Sequence, residues 1–460
     1  MPARNAILLT ADSLRADHLS CYGHDRETSP NLDAFGSRGT VMRSAFSQGA
    51  NTLYSFPAIL GGFYPLAIDN WLEGRPVSPI ISGHLPMVAE AFRDGGFSTG
   101  GFHSNPHLSR YFGYARGFDT FWDSISTYAR LDDRSYGGSA PERRGRRRGR
   151  FSKRLRKAVE ARPALFRAVI RIKDRLRPLP LPYAPADRIH SKALEFLDRA
   201  DGPVYVWLHY MDTHSPYNVS PAEFAEFHGR RISRSRIDHL NRLMLHRWLR
   251  PENVGDVIDL YDASIWSLDR RVGGFLDALG ERGSLSDGVT VFTADHGECF
   301  FDHGVICHPA TNFHDVQVHV PLIGRGLGDV DPSALVGLID VGPTMLARCG
   351  LEVPEDMMGL AIPHGRKEVY TEVRFRDAIK LCVRTDRWKY IWDPGTGEGM
   401  LFDLRDDPGE TEDVSDDRPG AVEVLREALE LHRRKVEGGA LAMKVRQKGL
   451  AGGSAAHAVQ

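Results

Sequence analysis

The sequence predicts an α/β fold: a doubly wound, mostly parallel sheet flanked by helices, with a small C-terminal α+β subdomain. Three observations predict it. Continuous apolar, β-rich runs recur ahead of Gly- and Asp-rich turns, as strands buried on both faces of a parallel sheet require. Helical patterns separate those runs, which is the order of βαβ units. After about Pro354 the texture changes to short β-like pieces with turn signals, the mark of a small antiparallel unit.

In chain order, the strands are read over Ala6–Thr10 (AILLT), Phe97–Phe102 (FSTGGF), Val204–Tyr210 (VYVWLHY) and Val289–Ala294 (VTVFTA). A helix is expected from Pro86, a good first-turn residue, to the Gly95–Gly96 pair. A longer one runs through VIDLYDASIWSLDRRVGGFLDALGERG, where Leu260, Ile265, Leu268, Val272, Phe275, Leu276 and Leu279 fall near helical spacing. KEVYTEV, AIKLCVRTD, WKYIWDP and LFDLRDDPGETEDV follow, then a polar helix from about Ala421. The organisation expected is a catalytic domain over 1–353 with a basic insertion at 143–180, a subdomain over 354–448, and a disordered tail over 449–460. No internal repeat is visible.

A chain of 460 residues that is 42% apolar can bury a large core. MPARNAILLT offers neither a signal peptide's apolar region with cleavage site nor a membrane span, so a cytoplasmic protein is expected. Its five cysteines are scattered and lack CxxC spacing, which argues against a disulfide framework or zinc knot and for small buried apolar residues. The net charge of −1 hides a segregation. From Arg143 to Arg177, sixteen Lys and Arg face only Glu160 and Asp174, a net of +14, which leaves −15 for the remainder. This stretch reads as a basic arm leading into an amphipathic helix around Leu165, Phe166, Val169, Ile170 and Leu176. Three readings stay open: an anionic membrane surface, which would bring the chain to the inner membrane face; a solvated insertion; and nucleic-acid binding, placed last.

Asp12 directly follows the first strand, and Asp295-His296 follows VTVFTA. Side chains just past the carboxyl ends of strands in an open α/β sheet face one ligand crevice. Two carboxylates and an imidazole there make a divalent metal site. Between them lies QGANTLYSFPAILGGFYP, with Thr52 ahead of a short helix expected to start near Ser55 or Phe56. A hydroxyl at a helix N-terminus beside a metal could attack phosphorus or sulfur while backbone N–H groups hold the ester's oxygens. The bland alternative is helix capping by Thr52 or Ser55.

NAILLTADSLRADHLSCYG, TLYSFPAILGG, RGFDTFWD, LHYMDTHSPY, TADHGECFFDHGVICHP, VHVPLI, LIDVGPTMLARCGL and LFDLRDDPGE, in this order over roughly Asn5 to Glu412, resemble the sulfatase family of the alkaline phosphatase-like superfamily. The family's nucleophile box falls on Thr52 through Gly62. Its leading residue is Cys or Ser in enzymes that convert it to formylglycine, which Thr52 cannot become. The assisting Arg is Phe56 here, and the second N-terminal acidic ligand is Ser13. That departure looks like the Thr-nucleophile branch, the lipoteichoic acid synthases and lipid A phosphoethanolamine transferases. The resemblance implies one divalent ion on Asp12, Thr52, Asp295 and His296, with Zn²⁺ or Mn²⁺ favoured over Ca²⁺ or Mg²⁺ because His296 replaces a common Asn. It also implies that His214 and His308 contact the substrate's phosphate. The implied reaction is cleavage of a phosphate or sulfate ester, lipid-linked or glycan, through a covalent Thr52 intermediate, with phosphoesters favoured; a true sulfuric ester hydrolase or a non-catalytic binding member are the alternatives. Among the other histidines, His103 is read as a substrate contact, His107 as a surface residue, and His209 as packed or supporting a ligand. His303, His314 and His319 are read as a minority candidate for a second metal site.

Overall fold

The computed structural model describes residues 4–68, 81–124, 182–285, 287–362, 365–375 and 378–456. The basic segment 143–177 lies outside the described residues. The main sheet has seven strands: β1 (Asn5–Ala11), β2 (Thr40–Met42), β3 (Ser98–Phe102), β4 (Thr120–Trp122), β5 (Val204–Tyr210), β6 (Gly288–Ala294) and β7 (Leu322–Arg325). Their spatial order is β2-β7-β6-β1-β5-β3-β4, and every pairing is parallel except those of β7 with β2 and β6. The apolar run of β5 has no exposed position, and β1 and β6 are buried after their first residue. This is why these strands lack the alternation of a half-solvated sheet.

Helices α1 (Pro30–Ser37), α2 (Thr52–Gly61), α3 (Val88–Asp94), α4 (Ala186–Leu197), α5 (Pro221–His228), α6 (Arg234–Leu245), α7 (Val254–Glu281) and α8 (Val341–Arg348) flank the sheet. α7 packs on α1, α4, α5 and α6, while α2, α3 and α8 pack together. All seven apolar residues read at helical spacing in α7 are buried. α3 starts at Val88 rather than Pro86, because Met87 is still extended, and it ends at Gly95 as expected. Beyond the main sheet, β8 (Val369–Phe375), β9 (Ala378–Arg384), β10 (Trp388–Trp392) and β11 (Gly399–Asp403) form a sequential antiparallel sheet, on which α9 (Pro419–Ala456) packs. The backbone of α9 is helical as far as Ala456. Among the described residues no helix is long and apolar enough to cross a membrane. The five cysteines are free, and Cys299, Cys307, Cys349 and Cys382 are buried.

Candidate active site

The register of the three central strands builds the site. Ala11 of β1 is level with Tyr210 of β5 on one side and with Ala294 of β6 on the other. The next residue of each strand therefore emerges at the same height: Asp12 N donates to the Tyr210 carbonyl at 2.9 Å, and Asp295 N to the Ala11 carbonyl at 3.2 Å. Strand order runs outward in both directions from β1, so this edge is the switch point of the sheet. One ligand atom from each of Asp12, Asp295 and His296 lies within 4.8 Å of the others, and all three residues are fully buried.

The residue after Asp12 is held in an unusual conformation. Ser13 has φ 59°, a left-handed backbone that a residue with a Cβ adopts at a cost of about 1–3 kcal/mol. Its N–H donates to Asp295 Oδ1 at 3.1 Å, its Oγ donates to Asp12 Oδ1 at 2.9 Å, and its carbonyl accepts from the Tyr261 hydroxyl at 2.7 Å. Asp295 Oδ1 also accepts the His296 N–H at 2.9 Å. Oδ2 of Asp295 has no hydrogen-bond partner among the described residues. His296 Nδ1 lies 2.8 Å from the Gly297 carbonyl, which can only accept, so Nδ1 carries the proton and the unpartnered Nε2 offers a lone pair. Gly297 is needed for this close passage, since a Cβ there would sit 2.2 Å from the Val316 carbonyl oxygen.

Thr52 does not cap a helix. α2 starts at Thr52 itself, three to four residues earlier than expected, because the Asn51 carbonyl already accepts from Tyr54 N and Ser55 N at 3.0 Å each. The Thr52 hydroxyl is instead 3.3 Å from Asp12 Oδ2. Phe56, one turn further, is fully buried against Trp207 and His209, so the position that carries Arg in the resembled box is apolar floor.

Four more polar groups close on Asp12. Asn105 Nδ2 donates to Oδ2 at 2.9 Å, and His209 Nε2 lies 3.4 Å from the same oxygen while its Nδ1 meets Thr10 Oγ1 at 3.0 Å. The rings of His214 and His308 are 5.2 Å apart, and His308 is 4.7 Å from His296. Burial pushes the Asp12 carboxyl up, but His214, His209 and His296 more than offset it and hold it well below the usual carboxylate range. Asp295 goes the other way: burial and then the charge of Asp12 hold its carboxyl well above that range. Burial first, then neighbouring His308, lowers His296 to about 3 and keeps its imidazole neutral. His308 is raised, because the fully buried Glu298, 3.2 Å from its Nδ1, outweighs burial. Atoms of Asp295 and His296 without hydrogen-bond partners among the described residues, beside the carboxylate of Asp12, fit a divalent cation, whose charge would favour the ionised form of Asp295.

The remaining histidines divide. His107, read as a surface residue, is drawn in: the short turn Pro106–Leu108 places it within the electrostatic reach of Asp12, His214 and His308, with its N–H on Asn105 Oδ1 at 2.9 Å. The surface reading is corrected because Pro106 turns the chain back after β3. His103, read as a substrate contact, is fully buried against Phe121 and Trp207, and burial lowers its pKa to about 3. His303 and His314 stack on one another, while His319 stacks on Phe46 with its Nε2 on the Arg43 carbonyl. Glu298 and Tyr261 had no role in the sequence reading; of the two, Glu298 carried a signal, as the acid two residues past His296.

The Sulfatase family matches residues 4–351 of the 460. The chain belongs to that family. A similar protein is the uncharacterized sulfatase YidJ of Escherichia coli (strain K12), 25% identical over 452 residues that cover 91% of this chain and 84% of YidJ. Arylsulfatase K of Bos taurus is 26% identical over 200 residues, 39% of this chain; the match spans only 37% of that protein. Among solved structures, a protein in complex with its substrate D-glucosamine-2-N,6-O-disulfate aligns with a TM-score of 0.69 at 17% identity, covering 95% of this chain and 98% of that one. The phosphonate monoester hydrolase of Agrobacterium radiobacter aligns at 0.62 with 21% identity, covering 97% and 96%. These likenesses establish the fold, and within it both sulfated and phosphonate esters are handled.

Proposed function

We propose that this sulfatase-family chain is a metal-dependent ester hydrolase or transferase in which Thr52 is the nucleophile and the preferred substrate is a phosphate ester. The observation that carries it is the Thr52 hydroxyl lying against Asp12 Oδ2 instead of capping α2. Asp12, Asp295, His296 and the Thr52 hydroxyl would hold one divalent cation, Zn²⁺ or Mn²⁺ by the softness of the imidazole donor. When bound, that ion supplies positive charge that acidifies a hydroxyl and screens an ester oxygen.

The chain's own groups do the rest. The N-terminus of α2 presents backbone N–H groups and the positive end of the helix dipole to the ester's oxygens. The Thr52 hydroxyl donates to Asp12 Oδ2 at 3.3 Å, so this carboxylate orients Oγ1 and is the nearest acceptor for its proton as Oγ1 attacks. His308, whose pKa the buried Glu298 raises, is the donor for the leaving alcohol, and His214 and His107 stand near it. The covalent Thr52 ester is then opened by water or an acceptor alcohol attacking the central atom, a second step that phosphorus accommodates. A sulfate ester is the second reading, favoured by the sulfated-sugar complex among the structural neighbours.

Turnover of nitrophenyl phosphate, bis-nitrophenyl phosphate and nitrophenyl sulfate by the metal-loaded protein tests both. Thr52→Ala should lower phosphoester turnover by at least about 10³-fold, as removal of a nucleophile does. Unchanged turnover in Thr52→Ala would sink the nucleophile; sulfate turned over faster than either phosphate would sink the preference.

A further inference from the structure

We propose that His303, His314 and Glu410 form a separate binding site for a divalent transition cation of the Zn²⁺ class. One donor atom from each lies within 4.8 Å of the others. Two imidazoles and a carboxylate are a donor set that holds zinc with a further position left for water. His314 and Glu410 are buried whereas His303 is exposed, so the ion has both a desolvated seat and an open path from solvent.

The local geometry brings this set together. Phe301 (φ 75°) and His303 (φ 51°) both take left-handed backbone, and with Gly304 (φ 72°) they fold the loop between Cys299–Phe300 and Ile306–Cys307 so that the His303 ring stacks on His314 at 3.6 Å. Glu410 Oε1 is 2.5 Å from the Lys389 ammonium, whereas Oε2 lies 3.2 Å from His314 Nδ1 and accepts the Asp315 N–H at 2.7 Å. The lysine thus occupies one carboxylate oxygen, and the other is the donor turned toward the imidazoles. Stacked rings do not aim their lone pairs at a common point, so binding requires the exposed His303 side chain to rotate out of the stack. His319 contributes nothing, since its Nε2 is engaged by the Arg43 carbonyl.

The third group of this kind among the described residues, His18, His24 and Asp262, is a poorer seat. Arg26 already places a guanidinium 2.7 Å from Asp262 Oδ2. At His303 the consequence is architectural: Glu410 follows the C-terminal sheet and His303 precedes His308, so the ion would tie that sheet to the loop carrying a substrate-facing imidazole.

The test is stoichiometry. Chelator-stripped full-length protein is dialysed against micromolar Zn²⁺, and separately Co²⁺, and bound metal is counted for wild type, His303→Gln, Asp295→Asn and the double variant. The expected result is that His303→Gln loses one equivalent that Asp295→Asn retains, and that the double variant loses both. His303→Gln binding as many equivalents as wild type overturns the proposal. So does a wild type whose entire metal content is removed by Asp295→Asn. Glutamine at this exposed position is checked for native circular dichroism, and His314→Gln, counted in the same way, must lose the same equivalent.

Discussion

Asn105 is the residue through which the site is most cleanly interrogated. Its Nδ2 donates to Asp12 Oδ2 at 2.9 Å and its Oδ1 accepts the His107 N–H, so one amide fixes both a carboxylate and the turn that brings His107 inward. Groups that orient a metal-binding carboxylate typically change affinity or activity about 10–100-fold when removed. Asn105→Ala is therefore expected to raise the Zn²⁺ dissociation constant and lower kcat/KM within that range. Full activity and metal affinity in that variant would show that Asp12 is held adequately by Ser13 and His209 alone. Ser13 shows why one serine can stand where an acidic residue is expected: its N–H and hydroxyl bind Asp295 and Asp12 together, so it braces two carboxylates without adding a third charge.

At the scale of elements, β1 positions the chemistry because both its neighbours share its register, and side chains on both of its faces are buried. Leu9, fully buried on β1, should cost about 2–5 kcal/mol when cut to alanine, read as a lower denaturant midpoint at unchanged slope. A loss under 1 kcal/mol would mean that the neighbouring strands collapse onto the gap. Much of this element-level logic was legible from sequence: each central strand announces itself as a continuous apolar run, and Asp12 and Asp295 stand at the ends of two of them. The start of α2 was not legible, because Asn51 fixes it through backbone carbonyl bonds that leave no side-chain cap to read. Neither was the partnership of His303 and His314 with Glu410, almost a hundred residues on, since only the packing of the C-terminal sheet brings that carboxylate near. His107 was hidden for a related reason: its turn has no period, and its direction is set by Pro106 and Asn105 together.

Across the whole molecule, buried ionisable groups set the response to pH. His190 is stacked on Phe275, its Nε2 is 2.9 Å from the Tyr210 hydroxyl, and burial lowers it to about 4. A depressed histidine contributes stability that is present above its unfolded value of 6.5 and is lost as pH falls through about 4. Asp212 and Asp269, which burial raises to about 6, act oppositely: their contribution is present below 3.8 and is lost as pH rises through 6. The wild-type slope is a partial cancellation, so the difference between variants is the informative quantity. Between pH 6.5 and 4, His190→Phe should retain about 3 kcal/mol of unfolding free energy that wild type loses, on the scale of 1.36 kcal/mol per pKa unit. Parallel curves for the two proteins over that interval would refute the assignment. The placement of β1 also has a consequence for biosynthesis. β1 is made before both of its neighbours and lies in the middle of the sheet, yet β5 begins at Val204 and β6 at Gly288. At about 5–20 residues per second, translation leaves β1 without its second neighbour for about 15–60 s. An apolar segment with at least one unpaired edge must be shielded on the ribosome for that interval, and the proposed site on Asp12 is incomplete until Asp295 and His296 have emerged, which would make acquisition of an ion a late event in the life of each new chain.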